Sequence, residues 1–155
     1  MSRNDAVFVV VVLLLVSLGL YLLGGLVNSC EARVQFGELY LSAIRDDPVG
    51  TVYHFRCEGN SMYPTLPASG KMCICVRRDE YNVGSVVIYV PTFSTCLRFE
   101  RPCSFVTHRI VSEHDGLALL KGDNNPVADG WVSVDRIVCE VVGYIDRNGD
   151  VLWLR

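Results

Sequence analysis

The chain has 155 residues, half of them hydrophobic, and a formal net charge of −3 at pH 7. No basic patch stands out, which argues against a nucleic-acid partner. With an N-terminal apolar run set aside, about 125 residues remain, the size of one ordinary domain.

Residues 1–5 form a short tail, and 22 residues without a charge follow, Ala6 to Val27, "AVFVVVVLLLVSLGLYLLGGLV". A hydrocarbon core about 30 Å thick needs roughly 20 helical residues, so this run is expected to be a retained transmembrane anchor. It exceeds the apolar region of about 7–15 residues in a secretory signal peptide. The "NSCEA" after it is a poor cleavage site, and Asn28 suits a lipoprotein-type cut before Cys30 badly. Arg3 and the amino terminus favour a cytoplasmic tail, a signal that Asp5, Arg33 and Arg45 weaken. Nothing after Val27 is long and apolar enough to span again, so residues 28–155 are expected on the other side.

Residues 28–50 read as a membrane-proximal connector. Within it Ala32 to Ile44 has helical spacing, either as its own helix or as a continuation of the anchor, and "DDPVG" ends it. From residue 51 the pattern is β. "TVYHFRCEG", "KMCICVRR", "SFVTHRIVSE" and "LALLKG" alternate, and "SVVIYV" is a continuous apolar run that suits a buried strand. "VSVDRIVCEVVGYID" is one long strand or a pair, and "DRNGD" is an Asn-Gly hairpin signal before "VLWLR". The expected fold class is therefore mainly β: one N-terminal transmembrane helix, then an antiparallel β domain over 51–155. The loop from Pro91 to Pro102 is longer than a hairpin needs.

Seven cysteines are many for this length: Cys30, Cys57, Cys73, Cys75, Cys96, Cys103 and Cys139. They point to an oxidising compartment, or to a hyperthermophile. Cys96 and Cys103 could close a small loop. Cys73 and Cys75 share one strand face and are not expected to pair with each other. Several could equally be small buried hydrophobes, and the tight C-x2-C spacing of a zinc site is absent.

The chemistry centres on "EGNSMYPTLPASG", Glu58 to Gly70. Ser61 follows a strand, and Pro64 stiffens the turn after it. Fixed backbone N–H groups beside a nucleophile are what an oxyanion hole requires, yet a serine hydroxyl attacks only when a base removes its proton. The bases available by type are His54, His108, His114, Lys71 and Lys121. His108 lies in the alternating "FVTHRIV"; if Val106 and Ile110 share its face, the ring sits among apolar side chains. His114 reads as a solvent turn histidine and His54 as structural. "KGDNNPVADG" supplies Asp123 and Asp129; Asp123 suits a tight turn, and Asp129, past Pro126, is freer to orient a histidine.

Taken together these segments resemble the type I signal peptidases. "GNSMYPTL" is similar to that family's serine motif, "THRI" to its later base box, "KGDNNPVAD" to its glycine-aspartate box, "VGSVVIYV" to the strand between, and "IVCEVVGYI" to its closing strand. The boxes stand in the family's order over Gly59 to Tyr144. The resemblance implies Ser61 as nucleophile, His108 as general base in the manner of the archaeal and endoplasmic-reticulum branch, Asp129 as its acidic partner and Asp123 as a supporting residue. No lysine stands near "THRI", which favours that branch.

The resemblance further implies a membrane-bound serine endopeptidase that removes signal peptides from exported preproteins. Small residues at the substrate's −1 and −3 positions are expected, as is no metal or organic cofactor. The domain would lie on the extracytoplasmic or lumenal side of a cell or endoplasmic-reticulum membrane. Preproteins, the lipid bilayer and accessory subunits are the implied partners. Met62, Tyr63 and Leu66 are expected to face substrate or membrane.

Three departures qualify this. Gly59 and Asn60 stand where the family has a serine hydroxyl donor to the oxyanion, Gly84-Ser85 replaces a Gly-Asp pair, and the Pro91–Pro102 loop is unusual. The rivals are a specialised processing peptidase of the same clan, and a catalytically weak or inactive membrane-tethered β domain that binds extended peptides.

Overall fold

The computed structural model describes residues 3–68, 71–99 and 103–154, the side chains of residues 3–14 and 17 excepted. Helix α1 (Arg3–Ala43) opens the chain and runs 41 residues, about 60 Å at 1.5 Å per residue. Of the two readings of Ala32 to Ile44, continuation of the first helix is the one observed. The helix stops before Pro48, and Arg77 caps it by donating to the carbonyls of Ile44 (3.0 Å) and Arg45 (2.6 Å). Among the described residues no helix is long and apolar enough to cross a membrane. Positions 6–14 and 17 of the anchor expected at 6–27 lie outside the described side chains.

The segment expected as a connector is part of the packed domain. Cys30, Val34 and Ile44 of this stretch are buried. At Gly37 the helix backbone lies directly on the domain: a Cβ there would stand 2.7 Å from Val90 Cγ1 and 2.8 Å from the Ser104 carbonyl oxygen. Arg136 clamps the contact, donating to the Val90 and Pro91 carbonyls and pairing with Glu38. An apolar face at helical spacing is stable only when covered; Cys96 covers Cys30 and Val34, and the sheet core covers Ile44.

Among the described residues eight antiparallel strands follow: β1 (Val52–Cys57), β2 (Lys71–Val76), β3 (Val86–Tyr89), β4 (Val106–His114), β5 (Leu117–Lys121), β6 (Gly130–Ser133), β7 (Ile137–Ile145) and β8 (Val151–Trp153). Their order is β1-β2-β7-β3-β4-β5-β6, with β8 also paired to β7. The run Val132 to Asp146 is thus a pair of strands, split by a 3-10 turn at Val134–Arg136. A two-residue hairpin of type I′ needs positive φ at both central residues; Asp115 (φ 49°) and Gly116 (φ 75°) meet that between β4 and β5.

β3 feeds both faces of the sheet. Val86 and Ile88 join one buried cluster, and Val87 and Tyr89 the other. A strand buried on both faces cannot alternate, which is why "SVVIYV" is uniformly apolar. Met62 (4% exposed) and Leu66 (2%) belong to the first cluster. This corrects the expectation that they face substrate or membrane: the turn after β1 folds back, and its apolar side chains plug the core. Tyr63, between them in sequence, is exposed.

Disulfides Cys57–Cys73 and Cys75–Cys139 join β1 to β2 and β2 to β7. Cys73 and Cys75 therefore do not pair with each other, as their spacing predicts. The Cys96–Cys103 pairing is not the one observed. The long loop contains a short helix, α2 (Phe93–Cys96), capped by Thr92, whose Oγ1 accepts from the Thr95 N–H. Packing α2 against α1 aims the Cys96 sulfur at Cys30.

Candidate active site

The turn that carries Ser61 is built by its neighbours. β1 ends at Cys57, which the disulfide to Cys73 holds. Gly59 takes φ 85°, a region open to glycine at little cost. Tyr63 N–H then donates to the Asn60 carbonyl (3.0 Å) and Leu66 N–H to that of Met62 (2.8 Å). With Met62 and Leu66 as apolar pegs, Ser61 is left half-buried at the head of the turn.

The glycine-aspartate loop latches onto this turn. Asn124 N–H donates to the Ser61 carbonyl (2.7 Å), and Asn124 Nδ2 to the Asn60 carbonyl (3.2 Å). Only a residue without a side chain fits at Gly122, where a Cβ would lie 2.8 Å from the Ser61 carbonyl oxygen. Asp123 accepts from Thr65 Oγ1 (2.6 Å) on the serine turn, and from Arg109 Nε (2.8 Å) and Nη2 (2.7 Å) on β4. The two-pronged Arg109 contact holds the Asp123 carboxyl below its ordinary value; Thr65 adds to this and burial opposes it. Asp123 thus braces the serine turn against β4.

β4 alternates as its sequence predicts. Val106, His108 and Ile110 face the buried side, and Thr107 and Arg109 the other. His108 Nδ1 contacts Asp129 Oδ2, and both side chains are buried. Asp129 stands just before β6, fixed by its N–H to the Leu120 carbonyl (2.8 Å) and by Arg98 Nη1 on its own carbonyl (3.1 Å). The same Oδ2 accepts from the Tyr89 hydroxyl (2.7 Å). Burial first, then the Asp129 charge, pushes the Tyr89 phenol well above its ordinary value, so it stays a donor. With Nδ1 engaged by the carboxylate, Nε2 is the ring nitrogen left for a reacting group.

The sheet curls so that its first strand meets the fifth in its order. Cys57 Sγ lies 3.6 Å from Thr107 Oγ1, which joins the end of β1 to β4 beside His108. Among the described residues no hydrogen bond joins Ser61 Oγ to His108.

The remaining sequence candidates are placed elsewhere. His54 is exposed on β1, and His114 is exposed at the end of β4, paired with Asp115 at 3.1 Å. Lys121 ends β5 opposite Arg109. Lys71 is buried at the start of β2 opposite Cys57, and burial lowers its ammonium pKa. Gly59 and Asn60 are exposed, and the Asn60 carbonyl is already taken by Tyr63 and Asn124.

Ser85 Oγ donates to Glu140 Oε1 (2.7 Å), and Glu140 pairs with Arg78, so β7 supplies a carboxylate at the turn where Gly84-Ser85 lacks one. This carboxylate lines a groove of about 540 Å³ with Thr65, Arg109 and Trp153, apart from Ser61, His108 and Asp129. Among the described residues no group of three or more His, Cys, Asp or Glu is placed to hold a metal ion.

Sequence reasoning missed Tyr89, Arg109, Thr65 and Asn124. Tyr89 is concealed in an apolar run, and only Arg109, adjacent to His108 in "THRI", carried a local signal. In comparisons with protein-family models, with curated proteins and with solved structures, none matches this chain.

Proposed function

We propose that the chain is a membrane-bound serine endopeptidase that removes N-terminal signal peptides from exported preproteins. The buried contact of His108 with Asp129 is the observation that carries this reading. A carboxylate on Nδ1 fixes the tautomer whose Nε2 can accept a proton. The latch from Asn124 to the Ser61 carbonyl and the Asp123 brace to β4 give a serine turn of defined position. The resemblance of the sequence boxes to type I signal peptidases supplies the substrate class, and Ala6 to Val27 supplies the anchor that would hold the domain at the membrane where such substrates emerge.

In the mechanism Ser61 Oγ attacks the scissile carbonyl while His108 Nε2 takes its proton. The imidazolium is stabilised by Asp129, which Tyr89 holds in place. The Ser61 backbone N–H and the Asn60 amide face the developing oxyanion. His108 returns the proton to the leaving amine, and water hydrolyses the acyl-enzyme by the reverse sequence. An extended substrate with small side chains at −1 and −3 would add along β1, the first strand in the sheet order, where backbone hydrogen bonds hold it.

The test is cleavage of a preprotein by the anchored chain, with Ser61→Ala beside it. Loss of processing in Ser61→Ala is expected, and normal processing refutes the proposal. If His108→Ala stays active while Lys71→Ala does not, lysine is the base.

The missing hydroxyl at Gly59 and the lack, among the described residues, of a hydrogen bond from Ser61 Oγ to His108 favour a second reading, a peptide-binding domain with weak or no catalysis. A serine-directed fluorophosphonate separates the two: labelling at Ser61 supports the enzyme, and none supports the binder.

A further inference from the structure

We propose that Cys30 and Cys96 form a third disulfide, which staples α1 to α2. Both side chains are fully buried, and their sulfurs lie 2.6 Å apart. A disulfide bond is about 2.05 Å long, so closure needs a shift of roughly half an ångström.

Two separately anchored elements impose the approach. α1 is held by the Gly37 contact and by Arg136 on Glu38. α2 is held by its Thr92 cap, and the chain after it by Arg98 on the Asp129 carbonyl. Val34, with Leu26 at its margin, seals the pair from water.

The chemistry balances. Each thiol gives up a proton and one electron as the S–S bond forms, and a donor disulfide is reduced to two thiols. Cys57–Cys73 and Cys75–Cys139 require an oxidant of the same class, so the third bond asks for no further co-reactant. Burial pushes the Cys96 thiol up to about 12 and that of Cys103, beside it, up to about 11. Thiols so disfavoured as thiolates exchange slowly once packed. The bond therefore closes as α1 docks and is afterwards shielded from reductants.

Cys103 is the odd thiol left over. Cys30 lies three residues beyond the apolar run that ends at Val27, so the staple fixes the base of that helix to the loop whose Arg98 holds Asp129. None of this depends on the chain being a protease.

The full chain, purified in detergent micelles and equilibrated with oxidised and reduced glutathione, is blocked with a maleimide. It is then nicked by limited trypsin treatment at the exposed Arg45. Cys30 is the sole cysteine before Cys57, so an N-terminal fragment cut between them stays attached only through Cys30. The expected gel shows one band without reductant and two with it. Mass spectrometry should find the Cys30 and Cys96 peptides joined, about 2 Da below the sum of the free thiol forms, with the maleimide on Cys103. Cys103→Ser should leave the link intact.

Maleimide on both Cys30 and Cys96 while the other two disulfides are closed overturns the proposal. So does Cys96 joined to Cys103, or Cys30 joined to a second chain.

Discussion

Asp129 shows how much one side chain depends on its neighbours. A single carboxylate oxygen receives both the Tyr89 hydroxyl and His108 Nδ1, in a place with little water. On the proposed reading, Asp129→Asn should lower kcat on the order of 10⁴-fold, because an amide there favours the wrong imidazole tautomer. Tyr89→Phe leaves the carboxylate but removes one donor to it. The expected loss is about ten- to a hundredfold, from a hydrogen bond to a charged group. Preprotein turnover by the two purified variants, with folding checked by circular dichroism, tests both.

At the scale of elements, the serine turn and the loop after β5 act as one unit. Met62 and Leu66 peg the turn into the core, and Asp123 ties Thr65 to Arg109. Met62→Ala should cost about 2–5 kcal/mol of stability, the usual range for truncating a buried methionine, read as a lower midpoint in urea. The Asp123 carboxyl titrates lower in the folded chain than in the unfolded one. Its contribution is then present above the unfolded value, near 3.8, and is lost as pH falls through the lower folded value. Asp123→Asn should therefore flatten the decline of stability below about pH 4, measured as denaturation midpoints from pH 6 down to pH 2. An unchanged slope would mean that other carboxylates dominate acid unfolding. Gly122→Ala should weaken the latch without touching Asp123, because its methyl meets the Ser61 carbonyl.

Across the whole molecule, the two disulfides close loops of different length, with separations of 16 for Cys57–Cys73 and 64 for Cys75–Cys139. The entropy of an open chain makes the longer loop the more stabilising, by about 1.2 kcal/mol if loop length alone decides. Cys75→Ala with Cys139→Ala should lower the melting temperature more than Cys57→Ala with Cys73→Ala. Calorimetry of the two double variants checks the order. The C-terminal part of α1 belongs to this same cooperative unit, since Ile44 joins the core cluster of the sheet, Gly37 lies on Val90 and Ser104, and Val34 packs with Cys96 of α2.

The sequence by itself determined the β class, the strand positions and the face of β4 that carries His108. These follow from alternation and turn chemistry, which are local properties of the backbone. It also singled out His108 and Asp129, although only the resemblance linked them. Burial of Met62, continuity of α1 into the domain and the meeting of Cys30 with Cys96 were decided by tertiary structure alone. Apolar side chains in a turn read as exposed until a core is known to cover them, and sulfurs 66 residues apart become neighbours only when two helices dock. Tyr89 makes the same point: in an apolar run its hydroxyl looks incidental, and only the crossing of β3 past the Asp129 loop gives it a partner.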